Sequence, residues 1–435
     1  MNTRRIGPTG HAPASSNACA PPVVWGGCAW ARLLRRSSLA LAVYAVVGLW
    51  TGFFTTSLSL VYSTPDSSGY RECADWLRDV RTAPPGATSV RPLVYPLLLA
   101  VIRSLSSDPR AVWLLQVMMW LATAHLVSAT TVRLSGSERI GAAAFLVFIC
   151  NVSAIVQTYH ALAETTAMLL LAAWTTILAP VRMTRLSTRR AVLLVVLLSL
   201  LTLTRPGYFT HWLLFMSICL VIFRKAPQRL PAILSAGLPV LLQMFLMYHL
   251  HGRFTVSMTG RNTMREYYLS KLFDISHKGE IMTREDYYDG LRTVRGYSTT
   301  ETAGYLLETF PVSMWVFIEN VLRQNLLNTP TFLARQPALT TYAKTTNAAY
   351  CCLHGMIPLL FLITRRRRPG LRFPHFSLLL VMSWIIFLSA GISFWQGDRL
   401  IMPAMVLWLP AYGSFLHRLL GRVRPTGAPD PDFVR

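Results

Sequence analysis

The chain is poor in acidic residues and poor in charge altogether. Only 14% of its 435 residues are charged, and 19 Asp and Glu stand against 42 Lys and Arg, which gives a net charge of +23. Hydrophobic residues make up 53% of the sequence. Water-soluble domains carry a much larger charged fraction, so this composition excludes an ordinary series of soluble domains.

Several functional motifs are also absent. The sequence has neither a G-x-G-x-x-G fingerprint nor a G-x-x-x-x-G-K-[ST] loop, so coupling to ATP lacks support. Its seven cysteines form no C-x-x-C pair, which argues against a structural zinc site. No internal repeat period is evident. Nucleotide-driven pumps, zinc-dependent folds and solenoids are therefore disfavoured.

What the chain does contain is a series of long apolar runs. Each is about 20 residues long, the length that a helix needs to cross a bilayer. We predict an all-α polytopic membrane protein with about ten transmembrane helices in residues 38–417, between tails 1–37 and 418–435. The first tail is polar and is predicted to be disordered. The predicted spans are 38–61, 111–131, 140–157, 161–180, 191–204, 207–223, 230–249, 347–364, 376–395 and 400–417.

Basic residues cluster in alternate connections between these runs. With a cytoplasmic amino terminus, the inner segments hold 23 of the 42 Lys and Arg and three of the 19 acids. This asymmetry predicts a multi-pass protein of the plasma (inner) membrane with both termini cytoplasmic. The clusters favour topology and attraction to anionic lipids over nucleic-acid binding. Two long segments, 62–110 and 250–346, are then outer loops.

The first outer loop begins with a predicted helix. Thr64 is a good N-cap, Pro65 suits the first helical position, and Pro84-Pro85-Gly86 ends the helix. Helical periodicity places Asp66 on the apolar face, and an ionisable group there is a candidate for function. The alternative is a first-turn carboxylate stabilised by the helix dipole. The helix is expected to lie flat on the membrane, with its apolar stripe down; that stripe comprises Asp66, Tyr70, Cys73, Leu77 and Val80.

A second short apolar segment runs from Arg91 to Arg103. It is too short to span a bilayer, so we expect it at the outer interface or as a re-entrant segment. Arg91 would then lie near the lipid headgroups, where a guanidinium can bind a phosphate bidentately. The alternative is an interfacial arginine that snorkels toward water.

Other charges occur at predicted outer helix ends. Glu164 is isolated at the start of an apolar run, where it either caps the helix or faces a cavity. His160 lies four residues earlier, on the same face if both residues are helical; a structural hydrogen bond is its alternative role. Arg205 precedes Pro206, and Arg399 follows Asp398 in Gln396-Gly397-Asp398-Arg399, where Asp398 could instead pair with a nearby arginine.

The second outer loop, 250–346, contains Arg261 and aromatic pairs that could stack on sugars. An apolar-aromatic patch from Phe310 to Ile318 predicts an interfacial helix within about 306–322. Charges at membrane level thus converge on one side, which favours an enzyme over a transporter, whose charges usually lie near the midplane.

These elements together resemble the GT-C superfamily of polyprenyl-phosphate-sugar glycosyltransferases, which includes protein O-mannosyltransferases and lipid A aminoarabinose transferases. The resemblance rests on Asp66-Ser67-x-x-Tyr70, on Arg91-Pro92-Leu93-Val94-Tyr95-Pro96, on Glu164, on Arg205-Pro206 and on the stretch from Gln396 to Pro403. The family usually has a second proline where Leu93 stands. We expect no soluble carboxy-terminal domain of the kind that some members have, which would leave acceptor recognition to the 250–346 loop.

The resemblance implies an inverting transfer of a sugar from a polyprenyl-phosphate donor to a lipid, glycan or protein acceptor. Asp66 would be the general base, and Glu164 would orient the acceptor or bind a divalent ion weakly; a tightly held metal is not expected. Arg91, Arg205, Arg261 and Arg399 would bind phosphate. Tyr70, Tyr95 and His160 are further candidates for substrate contact. The alternatives are a flippase or transporter of polyprenyl-linked lipids and a non-catalytic scaffold of the cell envelope.

Overall fold

The computed structural model describes residues 27–54, 65–81, 84–86, 91–278, 290–327, 336–367, 373, 375–393 and 397–421. Within these ranges the chain is helical and has no β-strand, which confirms the all-α prediction. Predictions for Thr64, Gln396 and most of both tails lie outside the described residues. The described part of the amino-terminal tail, 27–37, is helical and continues into the first span, so the prediction of a disordered tail is wrong for these residues.

Six of the described helices are long and apolar enough to cross a membrane, and a seventh span is possible if one bent helix pair counts as one. These features identify a helical membrane protein, while the number of ten spans stays a prediction. The six are Trp30–Trp50, Arg110–Ser135, Pro206–Phe223, Pro227–His251, Pro337–Arg367 and Asp398–Gly421. The bent pair is Glu138–Ile149 with Val152–Tyr159, at 59°, and shorter apolar helices cover Val94–Leu105, Glu164–Leu178 and Phe376–Ile392.

Residues 290–294 are also helical; the α-helices whose full bounds are described are numbered in chain order. They are α1 Gly27–Trp50, α2 Pro65–Arg78, α3 Val94–Leu105, α4 Arg110–Ser135, α5 Glu138–Ile149, α6 Val152–Val156, α7 Glu164–Leu178, α8 Thr188–Thr202, α9 Phe209–Phe223, α10 Leu230–His251, α11 Thr259–Asn262, α12 Ser270–Lys278, α13 Thr299–Glu308, α14 Val312–Glu319, α15 Pro337–Arg367, α16 Phe376–Ser389 and α17 Met405–Gly421.

The centre of the bundle is formed by α4, α5, α7, α8 and α17. Trp120 of α4 and Trp174 of α7 are fully buried there. Some polar side chains inside the bundle pair with each other, as Thr130 and Thr176 do at 2.7 Å between their hydroxyl oxygens. Such pairing is needed where no water can satisfy a polar group.

The first long helix ends earlier than predicted. The sequence indicated a span over 38–61, but α1 ends at Trp50. Gly52 then adopts a left-handed conformation with φ 72°, which residues with a side chain rarely adopt. The turn brings the ring of Phe53 onto Tyr159, with ring centroids 4.0 Å apart. Residues 51–54 therefore pack against the bundle as a turn instead of continuing the predicted helix, and residues 55–61 of the predicted span lie outside the described residues.

Hydrogen bonds define two opposite ends of the bundle. At one end, Arg133 donates to the carbonyl oxygen of Thr176 at 2.8 Å, and Arg418 donates to that of Leu134 at 2.9 Å. Cations near helix carboxyl ends satisfy carbonyls that lack helical partners. The basic connections between α7 and α8 and between α9 and α10, together with the basic last turn of α15, lie toward this same end. The other end carries the two long outer segments.

Helix α2 packs on α3 through its apolar face. The rings of Tyr70 and Tyr95 meet edge-to-face, with centroids 5.0 Å apart, and Cys73 is buried. The opposite face carries exposed charges, among them Asp75, which pairs with Arg103 of α3 at 2.7 Å. Periodicity therefore predicted the burial of Tyr70 and Cys73 correctly, and this face contacts α3. The predicted helix end was wrong: α2 ends at Arg78 and not at Pro84-Pro85-Gly86, so Val80 of the predicted stripe lies beyond the helix and is 67% exposed. The flat position of α2 on the membrane stays a prediction.

The second outer segment consists of short helices. Lys271 forms a buried ion pair with Glu319 and donates to Asn320 at 2.8 Å, which ties α12 to the segment after α14. Part of the predicted interfacial region is helical (α14) and bears large exposed apolar side chains: Phe310 is 60% exposed and Trp315 64%. Burial of this surface at a membrane interface stays a prediction.

Candidate active site

A cavity of about 1120 Å³ lies at the end of the bundle opposite the basic connections. Its wall is built where helices end: the start of α2, the start of α7, the turn between α8 and α9, the segment after α10 and the turn before α17. Side chains predicted from five separated parts of the sequence thereby reach one space.

Asp66 is held between two arginines in this cavity. Its Oδ1 is 3.2 Å from Nη2 of Arg91, and its Oδ2 is 2.5 Å from Nη2 of Arg399. The Asp66 side chain remains 40% exposed, whereas those of Arg91 and Arg399 are 12% and 16% exposed. The carboxylate therefore faces the open cavity while the guanidiniums approach it from the wall.

Arg399 also links Asp66 to the second carboxylate. Its Nη1 is 4.0 Å from Oε1 of Glu164, and the same oxygen lies 3.7 Å from Nη2 of Arg205. Glu164 begins α7 with a side chain only 6% exposed. We call these five residues the ion-pair network: Asp66, Arg91, Glu164, Arg205 and Arg399.

The turn that carries Arg399 is anchored by its neighbour. Asp398 is fully buried and accepts hydrogen bonds from Ser153 of α6 and from Asn347 of α15, the latter at 2.7 Å. In the described part of the chain, no arginine forms an ion pair with Asp398, so the predicted alternative of arginine pairing is wrong. Both donors are uncharged, and both bind Oδ2 of Asp398.

Arg91 is positioned from three sides. Its backbone N–H donates to Sγ of Cys73 at 3.3 Å, and Nη1 donates to Oγ1 of Thr259 at 3.0 Å. Its guanidinium carbon lies 5.7 Å from the ring centroid of Tyr70, a cation–π distance. Nearby, the backbone N–H of Val94 donates to the carbonyl of Leu203 at 2.9 Å, which joins the start of α3 to the end of α8.

The surroundings of Asp66 keep it ionised. Burial has the largest influence and raises the pKa of the Asp66 carboxyl, but the charge and hydrogen bond of Arg399 and the charge of Arg91 reverse that effect. The net result is a pKa below the ordinary value. Burial raises the pKa of the Tyr70 phenol, so this group stays protonated and can act as a hydrogen-bond donor.

The charge of the network favours anions. Three guanidiniums and two carboxylates leave one positive charge in a partly enclosed space, where electrostatic interactions are stronger than in water. A weakly bound divalent ion does not fit these residues, because Asp66 and Glu164 both face arginines that repel a dication. Among the described residues, no three His, Cys, Asp or Glu side chains group closely enough to hold a metal.

The structure brings most of the predicted site residues together. Those that line the cavity are Asp66, Tyr70, Arg91, Glu164, Arg205, Arg261 and Arg399. Tyr95 and His160 are not among the lining residues: Tyr95 is buried behind Tyr70, and His160 has an extended backbone with φ −111° and ψ 141°. His160 and Glu164 therefore do not share a helical face.

Some lining residues were not predicted as part of the site. Thr259 binds Arg91, while Arg253, Arg265 and Glu266 line the wall beside Arg261. The sequence offered one signal for them, since the second outer segment is charged and aromatic within an otherwise apolar chain. It gave no indication of which of its residues turn toward Asp66.

Fold and site together define a helical membrane protein with an arginine-rich cavity at one end of its bundle. No family model matches the chain, and neither a curated protein nor a solved structure matches it.

Proposed function

We propose that the chain is a membrane glycosyltransferase that moves a sugar from a polyprenyl-phosphate donor to an acceptor. The observation that carries this proposal is the ion-pair network, in which an ionised carboxylate and three guanidiniums share one cavity at a helix-bundle end. A transfer of this kind needs a base for the acceptor and cations for the departing phosphate.

The arginines suit the departing phosphate. Arg399 and Arg91 each place a guanidinium beside Asp66, and Arg205 approaches from the side of Glu164. Guanidiniums bind phosphate oxygens through paired, charge-assisted hydrogen bonds. Their low exposure limits competition from water and strengthens the stabilisation of negative charge as it develops on the leaving group.

Asp66 suits the role of general base once the donor is bound. Without substrate its oxygens are bound by Arg91 and Arg399. An incoming phosphate competes for these guanidiniums, which weakens their hold on the carboxylate and raises its basicity. The acceptor oxygen then forms a bond to the anomeric carbon and its proton passes to Asp66. The bond from that carbon to the phosphate oxygen breaks, polyprenyl phosphate leaves with the electron pair, and the configuration inverts.

A lipid-linked donor matches the location of the cavity. Long helices with exposed apolar faces lead away from it, and a polyprenyl chain can remain in the hydrocarbon region while its phosphate reaches the arginines. The basic connections lie at the opposite end of the bundle, where the positive-inside rule predicts cytoplasm. The cavity is then on the outer face, where a lipid carrier supplies activated sugar.

The test is Asp66→Asn in the purified full-length protein. The amide keeps the size of the side chain but cannot take the proton, so we expect transfer from a polyprenyl-phosphate donor to fall by about 10²–10⁴-fold, the usual contribution of general base catalysis. Asp79→Asn is the matched control, because Asp79 is an exposed acid just beyond the same helix. Full turnover by Asp66→Asn would contradict the role of Asp66.

One observation favours the alternative of a lipid flippase or transporter. The bent pair of α5 with Val152–Tyr159 has the form of a broken span or a re-entrant loop, and transporters often build their sites from broken helices. The test follows a fluorescent polyprenyl-phosphate lipid as it crosses the membrane of proteoliposomes. The alternative would be supported if wild type and Asp66→Asn moved this lipid at the same rate and wild type transferred no sugar.

A further inference from the structure

A second group of charges lines the cavity outside the ion-pair network. Arg253 follows α10, Arg261 lies in α11, and Arg265 lies in the π-helical segment Thr263–Leu269. We call these three residues the arginine triad. They belong to one short stretch of chain, whereas the network is assembled from distant parts.

The triad lacks carboxylate partners within the described residues. None of its members forms an ion pair there, in contrast to Arg91, Arg205 and Arg399. Arg265 instead donates to the carbonyl oxygens of Arg295, at 3.3 Å, and of Tyr297. These contacts fix the position of one guanidinium without neutralising it.

The three cations influence one another. Burial, followed by the charges of Arg265 and Arg253, lowers the pKa of Arg261. Arginine stays protonated at every physiological pH, so the folded protein sustains both this burial and the repulsion from the two neighbouring cations. A bound anion would remove that repulsion and make three charge-assisted hydrogen-bonded contacts possible.

The backbone directs the triad into the cavity. Helix α10 ends at His251, and its C-cap Gly252 adopts a left-handed conformation with φ 66°; the residues that follow, from Arg253 onward, line the cavity. The π-helix that follows α11 is seven residues long. π-Helical segments are rare and often occur at functional sites, because the wider turn changes the direction of side chains.

We propose that the arginine triad is a second anion site, which binds a phosphate monoester or diester separate from the phosphate of the sugar donor. The ion-pair network has one net positive charge, which suits one phosphate group. The arginine triad provides further positive charges for a second phosphate group. The same chemistry is found in a membrane-lipid headgroup and in a soluble phosphorylated acceptor. This binding requires no sugar transfer, so the inference goes beyond the proposed function.

The experiment uses the full-length protein in nanodiscs of phosphatidylcholine, titrated calorimetrically with inorganic pyrophosphate. The test variant is Arg253→Gln/Arg261→Gln/Arg265→Gln. The matched control is Arg71→Gln/Arg110→Gln/Lys344→Gln, which removes the same charge from three exposed residues that do not line the cavity. We expect the test variant to bind one pyrophosphate fewer than wild type, with affinity for that event reduced by about tenfold or more.

A second arm identifies the source of the anion. In nanodiscs that contain phosphatidic acid, a triad that binds lipid headgroups would already be occupied. Wild type would then lose the pyrophosphate-binding event that the test variant lacks. A titration unchanged by phosphatidic acid would indicate a soluble ligand. Equal binding by wild type and the test variant, or equal loss in the control, would overturn the proposal. Asp66→Asn should still bind pyrophosphate at the arginine triad. Failure of the glycosyltransferase proposal is therefore distinguishable from failure of this one.

Discussion

At the scale of single residues, the protonation of Asp66 depends on arginines from distant parts of the chain. We expect Arg399→Gln to raise the pKa of Asp66, because burial, which favours the neutral acid, then acts against fewer positive charges. A base works only when ionised, so the acidic limb of kcat/KM for sugar transfer should move to higher pH in this variant. The measurement is a pH profile of wild type and variant with saturating acceptor.

Arg71→Gln is the control for that profile. It removes the same charge from the exposed face of α2, opposite the face that carries Asp66. Its acidic limb should coincide with that of wild type, although its absolute rate is free to differ. An acidic limb in Arg399→Gln at the wild-type pH would contradict the assignment of Asp66 as the titrating base.

Some residues of the site could be predicted from the sequence and others could not. Periodicity distinguished Asp66 from the exposed Asp75, because a helix of known start has only one apolar face. It could not find the pairing of Asp66 with Arg399, which lies 333 residues away, because no local pattern records which helix ends meet. The contact of Thr259 with Arg91 was not predicted for the same reason, since no sequence motif marks a threonine that binds an arginine.

At the scale of elements, the short turn Gly397–Leu400 depends on a buried hydrogen bond. We expect Asn347→Leu to lower the free energy of unfolding by about 1–3 kcal/mol, because Asp398 then loses a donor inside the bundle and cannot reach water. Arg399 lies in the same turn, so sugar transfer should fall as well. Thermal unfolding in detergent and a transfer assay measure the two effects.

Thr346→Ala serves as the control for the loss of a polar side chain from the same helix. Thr346 is only partly buried, and among the described residues its hydroxyl bonds within α15, to the carbonyl of Tyr342. Its unfolding temperature should stay close to that of wild type. An Asn347→Leu protein as stable as wild type would show that Asp398 does not need this donor.

Element boundaries show how far the apolar pattern can be trusted. Helices such as α4 and α10 begin and end close to the predicted spans, because long uninterrupted runs leave few alternatives. The first helix ends earlier than predicted because a hydropathy pattern does not reveal that Gly52 is left-handed and that Phe53 turns back into the bundle. The bend between α5 and α6 was also invisible in the pattern, since both halves are apolar.

At the scale of the whole molecule, the two ends of the bundle differ in charge, and this difference predicts orientation. One end carries the basic connections and the other the cavity. Short basic loops remain cytoplasmic because their transfer across the membrane is unfavourable. The cavity should therefore face outward, which is also the side that the glycosyltransferase proposal requires.

Cysteine labelling tests this orientation in intact cells. In a background without native cysteines, Ser68→Cys places a thiol on the exposed face of α2 near Asp66, and Gln228→Cys places one between α9 and α10 at the basic end. A membrane-impermeant maleimide should label position 68 in intact cells and position 228 only after permeabilisation. The reverse pattern would put the cavity in the cytoplasm, where soluble nucleotide sugars are available, and would remove the reason for a lipid-linked donor.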